Sequence, residues 1–209
     1  MNKKKFSGKF ITFEGSEGSG KSTQARILYE YLKKKNKNVI YLREPGATKI
    51  SEKIRSILLD KKNTTMFPEC EMLLYMAARV QTTAEVIKPF LERGGIVICD
   101  RFLDSTIAYQ GYGLGLDLDW IEKIGRFATF GIEPDLTILL DLPVKKGLAH
   151  RNLFSDRIEE RPLSYHLRVR KGYLALSRKY PQRIKVVKVE KDKYKTQDKI
   201  RKIVERYVF

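Results

Sequence analysis

The 209-residue chain is 42% hydrophobic and 32% charged, a composition that excludes a disordered chain and suits one α/β domain with a full core. Its formal net charge of +17 favours polyanionic partners, but the lysines are scattered rather than gathered in one basic, aromatic-rich block, so we expect solvated basic faces and no specific nucleic-acid interface. No apolar run approaches the length of a membrane span, and we expect no membrane partner.

Five short apolar runs predict strands, and helical patterns lie between or after them. The predicted strands cover residues 10–13, 39–42, 96–99, 136–140 and 184–189, and the last is polar enough to predict an edge strand. The clearest helical patterns cover residues 71–91, 163–180 and 195–207. This alternation predicts one α/β domain over residues 1–209, with a five-stranded parallel sheet flanked by helices on both faces. Ligands of such sheets bind beyond the carboxyl ends of the strands.

A glycine-rich loop follows the first predicted strand and precedes a helical pattern, and it fits the phosphate-binding pattern G-x-x-x-x-G-K-[ST]. Its glycines allow several backbone N–H groups to point at one phosphate, and the positive end of the next helix points the same way. Lys21 can reach the β- and γ-phosphates, and the Ser22 hydroxyl can hold Mg²⁺. We therefore expect a P-loop NTPase fold. The residues predicted to bind the nucleoside triphosphate are Gly15, Ser16, Glu17, Gly18, Ser19, Gly20, Lys21, Ser22 and Thr23.

Charged residues also follow the next two strands of the predicted sheet. Asp100 ends an apolar run in the manner of a Walker-B carboxylate, which holds Mg²⁺ directly or through its waters. Arg101 lies beside it and would face the transferring phosphoryl group. The Pro-Gly turn after Arg43 fixes the direction of a guanidinium whose planar fork suits a phosphate.

Tyr75 and Arg79 are four residues apart and lie on one face of a predicted helix. An aromatic ring and a guanidinium at this spacing can stack on a nucleobase and hydrogen-bond to it. The spacing alone favours a plainer interpretation, in which Tyr75 packs in the core and Arg79 lies on the surface.

Five motifs in order make the chain similar to the thymidylate kinase family, whose members phosphorylate dTMP with ATP. They are the P-loop with an acidic residue at position 17, Arg-Glu-Pro-Gly at 43–46, the segment 75–81, the segment 100–111, and Pro-Asp-Leu-Thr at 134–137. Single motifs of this set are generic to P-loop kinases, whereas the ordered set is specific. A basic segment at about 145–160 resembles the mobile lid of these kinases.

The resemblance implies a role for each matching side chain around the acceptor nucleotide. Arg43 and Arg101 would clamp the acceptor phosphate, and Glu17 would lie near it and near the sugar 3′-hydroxyl. Tyr75, at a position usually held by Phe, would stack on thymine, and Arg79 would donate to the 4-carbonyl of the base. The implied dTMP-binding set is Glu17, Arg43, Tyr75, Arg79, Arg101, Ser105, Tyr109 and Gln110.

Within that set, Tyr109 would crowd the 2′ position and exclude ribose, and Gln110 would contact the base or the sugar. Two further positions depart from the family pattern, since Phe102 stands where Tyr or His is usual and Ala47 replaces a common Gly.

The family divides by the source of its catalytic arginine, which comes either from the P-loop or from the lid. The P-loop here contains no arginine, so the resemblance implies that Arg151 or Arg157 of the lid supplies the charge. The implied catalytic set is Lys21, Asp100, Arg101, Arg151 and Arg157, with Ser22 and Asp100 as the metal-binding residues.

The resemblance also implies ATP and dTMP as substrates, Mg²⁺ as the cofactor and a homodimer. The two cysteines, Cys70 and Cys99, have neither metal-ligand nor disulfide spacing, and we expect a reducing, cytoplasmic setting. Two other functions stay open. Another nucleoside or nucleoside monophosphate kinase would need a different base pocket, and a P-loop ATPase stimulated by nucleic acid would account for the positive charge.

Overall fold

The computed structural model describes residues 6–149 and 156–208. In this part of the chain, five strands form one sheet: β1 (Lys9–Glu14), β2 (Val39–Arg43), β3 (Ile96–Asp100), β4 (Leu136–Asp141) and β5 (Ile184–Lys188). Their order is β2-β3-β1-β4-β5, and every adjacent pair is parallel. The predicted parallel sheet is confirmed, with β5 at one edge.

Helices follow or separate the strands. They are α1 (Lys21–Lys34), α2 (Lys49–Leu59), α3 (Pro68–Thr82), α4 (Lys88–Glu92), α5 (Leu103–Thr106), α6 (Leu118–Ala128), α7 (Val144–Ala149), α8 (Leu163–Lys179) and α9 (Lys193–Val208). A π-helical segment, Thr83–Ile87, joins α3 to α4, and a second, Ile107–Gly113, continues α5. Across the described ranges, none of the helices combines the length and the apolar character needed to cross a membrane.

The core lies on both faces of the sheet because successive strand residues point to opposite sides. Ile11 and Phe13 of β1 share a buried cluster with Leu28 of α1 and Val204 of α9. Phe10 faces the other side and packs with Leu91 of α4. Helices therefore cover both faces, as predicted, and the carboxyl ends of the strands are left for the connecting loops.

Candidate active site

The P-loop lies between β1 and α1, and its backbone adopts conformations that require glycine. Gly15, Gly18 and Gly20 have φ values of 143°, 67° and 84°, all in the region that disfavours a Cβ atom. Gly20 is the N-cap of α1, so the positive end of the helix dipole lies at the loop. The loop therefore has the strand–turn–helix backbone that the motif predicts, with the amino end of α1 beside it.

Lys21 is buried beneath this loop. Its Nζ donates to the Ser16 carbonyl at 2.8 Å and to Ser19 Oγ at 3.4 Å. Burial lowers the pKa of Lys21 to about 8, and the nearby Arg101 guanidinium acts in the same direction. Anionic groups such as phosphates would favour the charged ammonium here.

Ser22 and Asp100 bring the start of α1 and the end of β3 together. Ser22 Oγ donates to Asp100 Oδ2 at 2.5 Å. Asp100 Oδ1 is buried and has no hydrogen-bond partner among the described residues. Within the same residues, no group of three or more His, Cys, Asp or Glu side chains could hold a metal. One carboxylate and one hydroxyl fit Mg²⁺, which usually keeps waters and substrate phosphates as its other ligands.

A cavity of about 490 Å³ opens beyond these strand ends. Most of the predicted site residues line it, namely Glu17, Gly18, Gly20, Lys21, Ser22, Thr23, Arg43, Tyr75, Arg79, Asp100, Arg101, Ser105, Tyr109 and Gln110. The structure therefore brings together residues that the sequence separates by up to 93 positions, from Glu17 to Gln110.

Arg101 crosses from β3 to the P-loop. Its guanidinium donates to Glu17 Oε1 at 2.7 Å and to Tyr109 Oη at 3.1 Å, and it lies 4.8 Å from the centre of the Tyr109 ring. Burial alone would raise the pKa of Glu17, but the charges of Arg101 and Lys21 and the hydrogen bond from Tyr109 lower it to about 2. Glu17 and Arg101 therefore form a pair of opposite charges that lines the cavity.

Two arginines converge at the end of β2. Arg43 Nη1 and Arg55 Nη1 both donate to the Pro45 carbonyl, at 2.8 and 3.1 Å, and Arg43 Nη2 pairs with Glu52 at 3.1 Å. Burial lowers the pKa of Arg55, and the charge of Arg43 adds to this effect. Two guanidinium groups that share one carbonyl give this side of the cavity a positive charge, which suits a phosphate.

Arg79 is buried rather than exposed, so the interpretation that places it on the surface is wrong. It is 2% exposed, and its Nε donates to Glu44 Oε2 at 2.8 Å. Its Nη1 donates to Thr106 Oγ1 at 2.9 Å and to Met76 Sδ at 3.4 Å, and its Nη2 donates to the Phe102 carbonyl at 3.0 Å. Among the described residues, these contacts use four of the five guanidinium N–H groups and leave one on Nη2, and Arg79 lines the cavity.

The end of the basic segment lines the same cavity with Asp156, Ile158 and Glu159, and it is held in place by Glu71. This fully buried carboxylate accepts from Gln110 Nε2 at 2.9 Å, and from Arg157 and Arg161 at 2.6 Å each. Arg157 also donates to the Leu58 carbonyl at 3.0 Å. Arg157 is thus paired with Glu71 in this structure, and Arg151 lies outside the described residues.

Comparison with known proteins decides the family. A family model described as thymidylate kinase matches residues 13–200. The chain belongs to the thymidylate kinase family. The thymidylate kinase of Roseiflexus sp. (strain RS-1) is 46% identical over 213 residues, covering 95% of this chain and 94% of that protein. The thymidylate kinase of Geotalea daltonii is 49% identical over 189 residues, covering 86% and 88%.

A solved structure of the family agrees in fold. The crystal structure of thymidylate kinase from Ehrlichia chaffeensis superposes with a TM-score of 0.79 at 33% sequence identity, and covers 94% of this chain and 98% of that one. The resemblance to thymidylate kinases read from the five motifs is confirmed, and so is the P-loop α/β fold.

The sequence motifs do not point to several side chains that lie at or next to this cavity. Arg55 on α2 is one, because its place in the helix pattern looks like that of any surface arginine. In the sequence, Glu44 is marked only as part of the Pro-Gly turn, whereas the structure pairs it with Arg79. No motif points to Glu14 or Tyr173 either, since both contact residues of the site that are far away in sequence.

Proposed function

We propose that the chain transfers the γ-phosphoryl group of ATP to the phosphate of dTMP within this cavity, giving ADP and dTDP for dTTP synthesis. Membership of the thymidylate kinase family supports the reaction. The observation that carries the assignment to this site is that Lys21 of the P-loop and the pair Tyr75 and Arg79 line one cavity. Two nucleotides bound at these places would meet end to end beside Arg101.

The reaction needs positioning and charge compensation rather than a covalent enzyme intermediate. The acceptor phosphate is already an anionic nucleophile, so the chain has to align it with the donor and offset the charge of both. P-loop N–H groups would hold the donor phosphates, and Lys21 would exchange the Ser16 carbonyl for a phosphate oxygen. Arg43 and Arg101 would hold the acceptor phosphate, with Arg101 fixed by Glu17.

Ser22 and Asp100 would hold the Mg²⁺ that accompanies ATP. The buried Asp100 Oδ1, without a partner among the described residues, supports this proposal because a bound cation or its water would satisfy it. When bound, the ion neutralises part of the phosphate charge.

A lid arginine would complete the charge compensation, and Arg151 and Arg157 stay the two candidates. An arginine in this role can be worth about 10³ to 10⁵ in rate. Arg157 would have to leave Glu71 and the Leu58 carbonyl to reach a phosphate.

Base selection would come from the remaining N–H group of Arg79, which suits the 4-carbonyl of thymine. Cytosine presents an amino group at that place, so two donors would face each other in a buried pocket. Uracil lacks only the thymine methyl, which is worth about 1–3 kcal/mol in an apolar pocket.

A steady-state assay with ATP and a panel of monophosphates tests the proposal. We expect dTMP to be the best substrate, dUMP to be poorer by roughly 10- to 200-fold in kcat/KM, and dCMP to be rejected more strongly. DNA or RNA should not stimulate ATP hydrolysis. Comparable turnover of dCMP and dTMP would refute the role of Arg79, and stimulation by nucleic acid would favour a P-loop ATPase.

The homodimer and the cytoplasmic setting stay predictions. Large apolar side chains are exposed on neighbouring helices, among them Phe67 at the start of α3, Leu73 of α3 and Phe127 of α6, at 72%, 51% and 78%. Such side chains support the dimer proposal, because a second copy that covered them would remove apolar surface from water. The two cysteines, Cys70 and Cys99, are free thiols, which agrees with a reducing compartment.

A further inference from the structure

A buried carboxylate that has no part in the proposed mechanism lies directly behind the acceptor site. Glu14 is the last residue of β1 and is 0% exposed. Its Oε1 accepts from the backbone N–H of Phe102 at 2.7 Å. Its Oε2 accepts from Ser105 Oγ at 2.6 Å and from Tyr173 Oη at 2.9 Å.

The same two hydroxyl groups contact Arg101 on their other side. Arg101 Nη1 donates to Ser105 Oγ at 3.2 Å and to Tyr173 Oη at 3.3 Å, and the two hydroxyls are 2.8 Å apart. We propose that Glu14 is a positioning residue for Arg101, which acts through the hydroxyls of Ser105 and Tyr173. This inference rests on the proposed function, in which Arg101 holds the acceptor phosphate.

The hydrogen-bonding capacity of these groups determines which atom donates in each contact. An ionised carboxylate only accepts hydrogen bonds, so both hydroxyls donate their protons to Glu14. Each hydroxyl oxygen then presents its lone pairs to Arg101 Nη1, which only donates. Glu17 and Tyr109 receive Nη2 at the same time, so the plane of the guanidinium is fixed on both of its terminal nitrogens.

Glu14 also fixes the backbone that carries Arg101. Arg101 has a φ of 71°, an unfavourable conformation for a residue with a Cβ atom. Its N–H donates to the Phe13 carbonyl at 3.0 Å, and the next N–H, of Phe102, donates to Glu14. Two successive backbone groups around Arg101 are therefore anchored to the end of β1.

Burial, together with the charges around Glu14, makes the ionisation of this carboxylate sensitive to pH near neutrality. Burial raises its pKa to about 7, and the charge of Asp104 adds to this, whereas Ser105, Arg101 and the Phe102 N–H lower it. The titratable and charged groups that face it are Lys21 of α1, Cys99 of β3, Arg101, Asp104 of α5, Tyr173 of α8 and Arg183, which pairs with Asp104. The arrangement in which the hydroxyls of Ser105 and Tyr173 both donate to an ionised Glu14 therefore forms as the pH rises through about 7.

The test is the full-length variant Glu14→Gln, assayed with ATP and dTMP. An amide nitrogen at the place of Oε2 donates rather than accepts, so the hydroxyl protons turn toward Arg101. We expect kcat/KM for dTMP to fall by roughly 10- to 100-fold at about pH 8, the loss expected for hydrogen bonds to a charged group. The Kd of ATP, measured by calorimetry, should change by less than about twofold, because the Glu14 side chain hydrogen-bonds to Phe102, Ser105 and Tyr173 and, among the described residues, to no P-loop group.

The pH profile separates positioning from a merely structural role. The ratio of the wild-type to the Glu14→Gln value of kcat/KM should rise from about pH 6 to about pH 8, because only the wild type gains the ionised carboxylate over that range. Titration of dTMP itself cancels in this ratio. Asp135→Asn is the matched control, since Asp135 accepts the Phe10 N–H at 2.7 Å at the opposite end of β1. It should leave both constants unchanged.

A flat ratio, or an equal loss of ATP and dTMP binding, would overturn the inference. If Glu14→Gln does not fold, Tyr173→Phe decides, because it removes one of the two hydroxyls and keeps the carboxylate. It should lower kcat/KM for dTMP about tenfold, and a value within twofold of wild type contradicts the inference. If the wild-type chain does not phosphorylate dTMP, both the proposed function and this inference are overturned. If the wild type is active and the variant is unaffected, only the inference is overturned.

Discussion

Gly147 of α7 packs against the P-loop backbone so closely that one added methyl group should disturb ATP binding. A Cβ atom on Gly147 would lie 2.2 Å from the Glu17 carbonyl oxygen, and contacts under 3.0 Å essentially never occur. The two backbones would have to separate by about 0.8 Å. Displacements of about 1 Å can cost roughly 100-fold in rate when they affect positioning. We expect Gly147→Ala to lower kcat/KM for ATP by roughly 10- to 100-fold.

The expected loss of stability is smaller than the loss of activity. Overpacking costs about 1–3 kcal/mol in the free energy of unfolding, and the better helix propensity of Ala offsets up to about 1 kcal/mol of it. Gly8→Ala is the matched control, because its Cβ atom would lie 2.4 Å from the Gly95 carbonyl oxygen, at the amino end of β1. Denaturant unfolding and steady-state kinetics should show both variants destabilised and only Gly147→Ala impaired with ATP. Equal kinetics for the two variants would refute the reasoning.

Two further changes test the acceptor side and the turn after β2. Glu17→Gln removes the partner of Arg101 at 2.7 Å and should lower kcat/KM for dTMP by roughly 10- to 100-fold; an unchanged value would contradict the role of this pair. Because the pKa of Glu17 is lowered from 4.5 to about 2, the stability from its charged form is fully present above about pH 4.5 and is lost as the pH falls toward 2. Thermal melts should therefore show no pH dependence from Glu17 between about pH 5 and 9. Ala47→Gly should raise the free energy of unfolding by up to about 1 kcal/mol, because Ala47 has a φ of 72°; a loss of stability in denaturant titrations would argue against strain there.

The alternation of apolar runs and helical patterns was enough to predict the sheet, because each parallel strand is short, apolar and local in sequence. The same reasoning could not see the π-helical segment Thr83–Ile87 inside the helix predicted over residues 71–91. A π-helical turn closes one residue later than an α-helical turn, so the spacing of the apolar residues in the sequence is nearly unchanged. α2 and α6 were not singled out, and α2 carries Arg55 into the site.

The candidate site could be predicted where a motif holds its chemistry in one stretch, as the P-loop does. Arg79 shows the limit of prediction from a single stretch of sequence. Its spacing from Tyr75 was visible, but its burial depends on Glu44, which lies 35 positions away. Arg157 is similar, since its pairing with Glu71 joins two segments 86 positions apart. Whether such a charged side chain is buried or exposed depends on partners distant in sequence, which it meets only when the chain folds.

A crystal structure of the chain with dTMP and a non-hydrolysable ATP analogue tests the central claim most directly. The account predicts thymine against Tyr75 with its 4-carbonyl at Arg79, the acceptor phosphate at Arg43 and Arg101, and the triphosphate on the P-loop. A dTMP molecule bound away from Tyr75 and Arg79, or one whose phosphate occupies the P-loop, would contradict it.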